Sequence, residues 1–150
     1  YKYQEIEPLI LTKHTNLGHY IYTILAQNSF KPFSENFEFK NKIAALGIDD
    51  HVRNGYSHTA ILNKELKSSV IRPLYAKLRA KNRVSYSVKD YQFRLLNPRN
   101  FNIKKFKEED VVLVDDIITT GITLTQAIQV MKSNKKEVLL CLTLADAGLK

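Results

Sequence analysis

A chain of 150 residues is long enough to bury a core of its own, and with Cys141 as its one cysteine it excludes a disulfide framework or a cysteine-rich zinc site within these residues. No apolar run approaches the length of a membrane span and no signal-peptide pattern is present, so a single domain in a reducing compartment is expected. The formal charge of +8 leaves two readings open, a surface kept soluble by its charge or one that meets a polyanion such as nucleic acid or an anionic membrane face.

In Tyr1–Lys13, Ile6, Leu9 and Ile10 have helical spacing, and Pro8 predicts that the helix proper starts near it. Asn16 is a candidate cap for a second helix reaching about Asn28, with Leu17, Tyr20, Ile21, Ile24 and Leu25 as its packing stripe. Phe30–Lys40, interrupted by Pro32, reads as a connection. Lys42–Ile48 reads as a strand, followed by the polar loop Asp49–Ser57 and a helix through Ile61, Leu62 and Leu66. His51 and His58 have no metal-ligand spacing and read as ordinary surface residues. Leu74, Ala76 and Leu78 alternate with Tyr75, Lys77 and Arg79, as in an edge or half-buried strand.

Lys81–Lys107 is the most basic and most aromatic stretch. It holds Arg83, Tyr86, Tyr91, Phe93, Arg94, Arg99, Phe101, Lys104, Lys105 and Lys107, and Ser87 with Asp90 can cap a short helix there. Aromatic faces stack on bases while Lys and Arg follow phosphates, which suits a single strand; equally, the aromatics suit a core and the charges a solvated face. Asn134 is expected to end a helix, Glu137–Leu144 to form a strand containing Cys141, and Ala145-Asp146 to form an exposed turn before Gly148. Strands alternate with helices along most of the chain, which predicts an α/β fold with a mainly parallel sheet flanked by helices.

The chemistry concentrates in Val111-Val112-Leu113-Val114-Asp115-Asp116-Ile117-Ile118-Thr119-Thr120-Gly121-Ile122-Thr123-Leu124. Four branched apolar residues in a row read as a strand buried on both faces. Two carboxylates follow, then hydroxyls around one glycine, then Leu124, Ala127, Ile128 and Met131 at helical period. Ligands bind at such strand-to-helix junctions in open α/β sheets. Free amides at the helix start suit a phosphate, and Gly121 allows close backbone approach. Asp115 and Asp116 are acceptors for hydroxyls and water-mediated partners for Mg²⁺. A phosphate, a pair of hydroxyls and a metal together describe a sugar phosphate or nucleotide. The lysine of a P-loop and the three glycines of a dinucleotide fingerprint are both missing.

Val111–Leu124 resembles the signature of type I phosphoribosyltransferases, which holds 5-phosphoribosyl-1-pyrophosphate (PRPP). The resemblance implies that fold. It implies that Asp115 and Asp116 face the ribose hydroxyls, with Mg²⁺ held indirectly, and that Ile118, Thr119, Thr120, Gly121, Ile122 and Thr123 form the phosphate-binding loop. Arg53–Leu66 is similar to the Arg-Gly-Phe-Asn-Gln motif of the competence protein F (ComF) family, which assigns Arg53, Asn54 and Gly55 to the pyrophosphate side. Arg83, Arg94–Asn97 and Phe101 resemble that family's hood loop. The chain departs from the family at Gly47-Ile48-Asp49, where Pro-x-Pro is usual, and at Asn54, which is inserted between Arg53 and Gly55.

Membership of that family implies a natural-transformation factor acting in the cytoplasm. Its expected partners are PRPP, single-stranded DNA and the helicase or translocation proteins of DNA uptake. The nucleic-acid residues would be Arg83, Tyr86, Arg94, Arg99, Lys104, Lys105 and Lys107. It also implies an N-terminal four-cysteine Zn²⁺ ribbon, expected upstream because the sequence opens on Tyr1 rather than Met. Two other functions stay open on the same fold, an active purine or pyrimidine phosphoribosyltransferase and a regulatory module that senses PRPP. The resemblance identifies no catalytic residue or base acceptor.

Overall fold

The computed structural model describes residues 1–49, 51–82 and 98–148. In chain order it contains α1 (Tyr3–Ile10), α2 (Asn16–Gln27), α3 (Phe30–Asn36), β1 (Ile43–Gly47), α4 (His58–Lys64), β2 (Ile71–Leu74) and β3 (Leu78–Ala80). β4 (Phe101–Ile103), β5 (Asp110–Ile118), α5 (Ile122–Ser133) and β6 (Glu137–Asp146) follow. A four-stranded sheet runs in the order β2-β1-β5-β6, and all its pairs are parallel. β3 and β4 form a separate antiparallel pair. The α/β fold with a mainly parallel sheet and flanking helices is the one the alternation of elements predicts.

β5 is central because its sequence tolerates burial on both faces. Val111, Val112, Leu113 and Val114 are all fully buried. Side chains alternate across a strand, so the four residues divide between two cores. Val112 and Val114 pack with Ile6, Ile10, Tyr22 and Leu25 beneath the N-terminal helices. Val111 and Leu113 pack with Leu78, Phe101, Leu124 and Met131 beneath α5 and the β3–β4 pair. Removing the larger part of one such side chain costs about 2–5 kcal/mol through lost burial and the cavity left behind.

Asn63 pins α4 to the sheet. It is fully buried, and its Nδ2 donates to the carbonyls of Ala45 and Leu74, each at 3.0 Å, joining β1 to β2 from the helix side. Pro73 lies in β2, at the sheet edge, where a missing amide donor interrupts no further ladder.

Several expectations need correction. The first helix starts at Tyr3 and carries Pro8 inside it. The cap of α2 is Thr15, whose Oγ1 accepts the Gly18 amide at 3.1 Å, so Asn16 is already helical. Phe30–Asn36 is a helix despite Pro32, because a proline in the first turn removes no intrahelical bond. The alternation from Leu74 to Arg79 is broken at Ala76, whose φ of +54° ends β2 and separates it from β3. β6 continues through Ala145, which is buried, to Asp146, so the expected turn begins later. Cys141 lies in β6 as expected but is only half-buried. The helix suggested by Ser87 and Asp90 falls outside the described residues, as do Asp50, Tyr91 and Phe93. Among the described residues no helix is long and apolar enough to cross a membrane.

Candidate functional site

β5 delivers its two carboxylates into different surroundings. Asp115 continues the side of Val111 and Leu113, and Asp116 that of Val112 and Val114, as alternation requires. Asp116 is 6% exposed. Lys13 Nζ lies 2.8 Å from its Oδ2, His58 Nε2 lies 3.5 Å away, and the Tyr22 hydroxyl donates to the same oxygen at 3.3 Å. Burial alone would raise this carboxyl, but His58 and Lys13 outweigh it and hold it down to about 2. Tyr22 is pushed well above the usual phenol range by burial and by Asp116. Burial lowers His58 despite the pull of Asp116. Asp116 thus ties the connection between α1 and α2, the middle of α2 and the first residue of α4 to the sheet.

Asp115 borders a shallow depression whose other lining residues are 117–124. Its Oδ1 accepts the Asp116 amide at 2.9 Å. Burial first, and the adjacent charge of Asp116 second, push the Asp115 carboxyl well above the usual range. The depression is a loop of hydroxyls, with Thr119, Thr120 and Thr123 around Gly121. Gly121 has φ +73° and precedes α5, and a Cβ built there meets nothing within 4 Å. Backbone conformation, not crowding, is therefore what favours glycine at this position. No side chain caps the start of α5, which leaves its first amides facing the loop.

The expected site residues thus separate. Asp115, Ile118, Thr119, Thr120, Gly121, Ile122 and Thr123 line one depression. Asp116, expected beside them as hydroxyl acceptor and indirect metal partner, is enclosed by Lys13, Tyr22 and His58. Arg53, Asn54 and Gly55 form a turn after β1, the neighbour of β5, and do not line the depression. That turn is bridged by Arg53 and Tyr56, has Asn54 at φ +50° and Gly55 at φ +86°, and is tied by Asn54 Nδ2 to the His14 carbonyl.

The expected nucleic-acid residues also divide. Arg83, Tyr86 and Arg94 lie outside the described residues. Arg99 is part-buried, with its Nη1 2.6 Å from Asp49 Oδ2. Asp49 Oδ1 also accepts the Ala80 amide at 3.0 Å, so this residue joins the end of β1 to the β3–β4 pair. Lys104, Lys105 and Lys107 are exposed in the segment entering β5, at the opposite end of that strand from Asp115. Among the described residues no group of three or more His, Cys, Asp or Glu is arranged to hold a metal ion.

Sequence reasoning missed Lys13, Tyr22, His58 and Asp49. His58, expected at the surface, packs against Tyr22 with ring centroids 5.7 Å apart. His51 lies 3.1 Å from Asp49. No local pattern marks these residues, because each is defined by a distant partner.

The family model for the phosphoribosyl transferase domain matches residues 53–149. No curated protein matches the sequence. Among solved structures, a hypoxanthine phosphoribosyltransferase from Staphylococcus aureus is similar at 16% identity and TM-score 0.48, covering 85% of this chain and 64% of its own. An orotate phosphoribosyltransferase from Aeropyrum pernix is similar at 18% identity and TM-score 0.47, covering 87% of this chain and 60% of its own. For an adenine phosphoribosyltransferase from Rhodothermus marinus the values are 17%, 0.43, 84% and 67%. This chain therefore spans less than two thirds of the length of the first two proteins. None of these similarities bears on activity.

Proposed function

Because the chain belongs to the phosphoribosyl transferase domain family, we propose that the loop between β5 and α5 binds a 5-phosphorylated ribose, either PRPP or a related sugar phosphate. The observation that carries this reading is the junction itself. An uncapped helix start, opened by Gly121 at φ +73° and ringed by threonine hydroxyls, follows a central parallel strand. The amides of that first turn and the hydroxyls of Thr119, Thr120 and Thr123 receive the phosphate. Asp115 accepts a ribose hydroxyl. Asp116 acts behind it, holding the helical layer against the strand.

Mg²⁺ fits this donor set as an ion carried by the ligand, with Asp115 as a water-mediated partner. When bound it supplies neutralisation of pyrophosphate charge. Arg53 and the amides around Gly55 serve the pyrophosphate side from the carboxyl end of β1.

The finer reading is a ComF-type competence factor that handles incoming single-stranded DNA in the cytoplasm beside uptake helicase or translocation proteins. Its zinc ribbon would lie upstream of Tyr1. The likeness at Arg53–Leu66, the charge of +8 and the exposed Lys104, Lys105 and Lys107 support it.

Calorimetric titration with PRPP and Mg²⁺ tests the first reading. Binding that Asp115→Asn weakens at least ~10-fold is expected, and unchanged binding would put the site elsewhere. Titration with fluorescent single-stranded DNA at several salt concentrations tests the second. Replacing Lys104, Lys105 and Lys107 by Glu should flatten the salt slope by about 2–3. No binding at low salt would remove the DNA role. Pyrophosphate release with one particular base would instead favour a working transferase.

A further inference from the structure

The carboxyl end of β1 carries a charge pair. β1 lies beside β5 with Gly47 opposite Val114, and the Ile48 amide donates to the Val114 carbonyl at 2.8 Å. Asp49 therefore follows β1 at the level of the paired acids of β5. Its φ is +50°, a conformation that aspartate tolerates better than most residues. Its carboxylate accepts from Arg99 Nη1 at 2.6 Å and from the Ala80 amide at 3.0 Å, and His51 Nε2 lies 3.1 Å away. The side chains of Arg99 and Asp49 are only 18% and 21% exposed. The Arg99 amide donates to Gln126 Oε1 at 3.1 Å, which fixes the arginine against α5.

Arg99 is a cation whose charge reaches the loop. Burial and the charge of Asp116 push the Asp115 carboxyl up, and the Arg99 charge acts against them. Residues 115–124 themselves contain no Lys, Arg or His. The charge of Arg99 is matched by Asp49 at contact distance, so the pair presents little net charge to a ligand. Arg53 is exposed in its own turn and does not line the depression. A 5-phosphate in the loop meets neutral donors, the threonine hydroxyls and the first amides of α5. A pyrophosphate at C1 brings more negative charge to a side that holds the acids Asp49 and Asp115 and an arginine already engaged. Taking that charge out of water without a new partner is unfavourable.

We infer that Asp49 is a specificity-determining residue, and that the site takes a 5-phosphorylated ribose with no charged group at C1 in preference to PRPP. The inference rests on the sugar-phosphate reading and narrows it. Asp49 cancels the arginine that a pyrophosphate would need, and Arg53 meets such a group only from its exposed turn. The 5-phosphate side is untouched by either partner of the pair. Removing Asp49 and removing Arg99 therefore act on PRPP in opposite directions, and hardly on ribose 5-phosphate.

Calorimetric titration of the full chain with ribose 5-phosphate and with PRPP, each in Mg²⁺ and in EDTA, tests this. Ribose 5-phosphate should bind at least ~5-fold more tightly than PRPP in both conditions. Asp49→Asn keeps an acceptor for the Ala80 amide and a residue that tolerates positive φ, while it releases the Arg99 charge. It should tighten PRPP binding by about 5- to 10-fold, the scale of one unit charge acting across such a site. Arg99→Gln leaves Asp49 uncompensated and should weaken PRPP binding by a similar factor. Neither change should move ribose 5-phosphate by more than ~2-fold. PRPP that binds wild type more tightly than ribose 5-phosphate overturns the inference, a comparison that needs no variant. So does a PRPP affinity that moves the same way in both variants, or in neither. If the two ligands bind wild type equally, the sugar-phosphate reading stands and this inference alone falls. If neither binds, both fall.

Discussion

On the helical side of β5, Asp116 is met by Lys13 at 2.8 Å, by His58 and by the Tyr22 hydroxyl, and its carboxyl is held down to about 2. On the α5 side, Asp115 is held up by burial and by its neighbour's charge, beside a loop of hydroxyls and uncapped amides. One carboxylate is satisfied within the protein. The other is kept in an environment that disfavours its ionised form and improves when a donor arrives. Adjacent acids in one motif can thus divide between two surroundings, one holding the scaffold and one bordering the loop.

The comparison breaks most sharply at Asp116. Asp116→Ala leaves the Lys13 ammonium without its counter-charge and the Tyr22 hydroxyl without its acceptor at a buried site, and should cost about 3–5 kcal/mol in urea unfolding. A loss below about 1 kcal/mol would mean that the network holds little of the fold together. The same group sets an acid limit. Its folded pKa lies below its unfolded value of 3.8, so its stabilisation is present above about pH 4 and is lost as pH falls through about 2. The difference in unfolding free energy between wild type and Asp116→Asn should shrink by about 2 kcal/mol over that window.

Asp115 should behave oppositely. Its raised folded pKa means that stability is lost as pH rises from about 4 through the folded value. Asp115→Asn should therefore raise stability at pH 7 while weakening PRPP binding. A variant that unfolds more easily than wild type would show that Asp115 also carries structure. The smallest effect is expected at Gly121. Gly121→Ala should cost about 1 kcal/mol through its positive φ alone, read as a small drop in Tm, since no atom crowds the new methyl group.

Much of this architecture was legible because it is local. Val111–Val114 announce a doubly buried strand by being branched and consecutive, and Gly121 among threonines announces the turn into α5. The partners of Asp116 were not legible, because Lys13 lies 103 residues away and Tyr22 lies 94 away. In α2, periodicity revealed the helix but not which side is buried. Leu17, Tyr20 and Ile24 were expected in the core, yet Gly18 faces it. Gly18 packs so closely on the Thr12 carbonyl that a Cβ there would sit 2.2 Å from the oxygen. With no charge on either side of the helix, composition could not mark the solvent face. β2 escaped notice because Arg72 and Pro73 hide a short strand at the sheet edge.

The separation of 103 residues between Lys13 and Asp116 also has a consequence for the order of synthesis. Chains are made from the N-terminus at about 5–20 residues per second, so Lys13 waits about 5–20 s for its partner to be added. During that interval Ile6, Ile10, Tyr22 and Leu25 have no Val112 or Val114 to pack against. α1 and α2 can meet β1 and α4 in that time, but their packing is complete only with β5. Apolar surface on these two helices therefore stays open until β5 has been made.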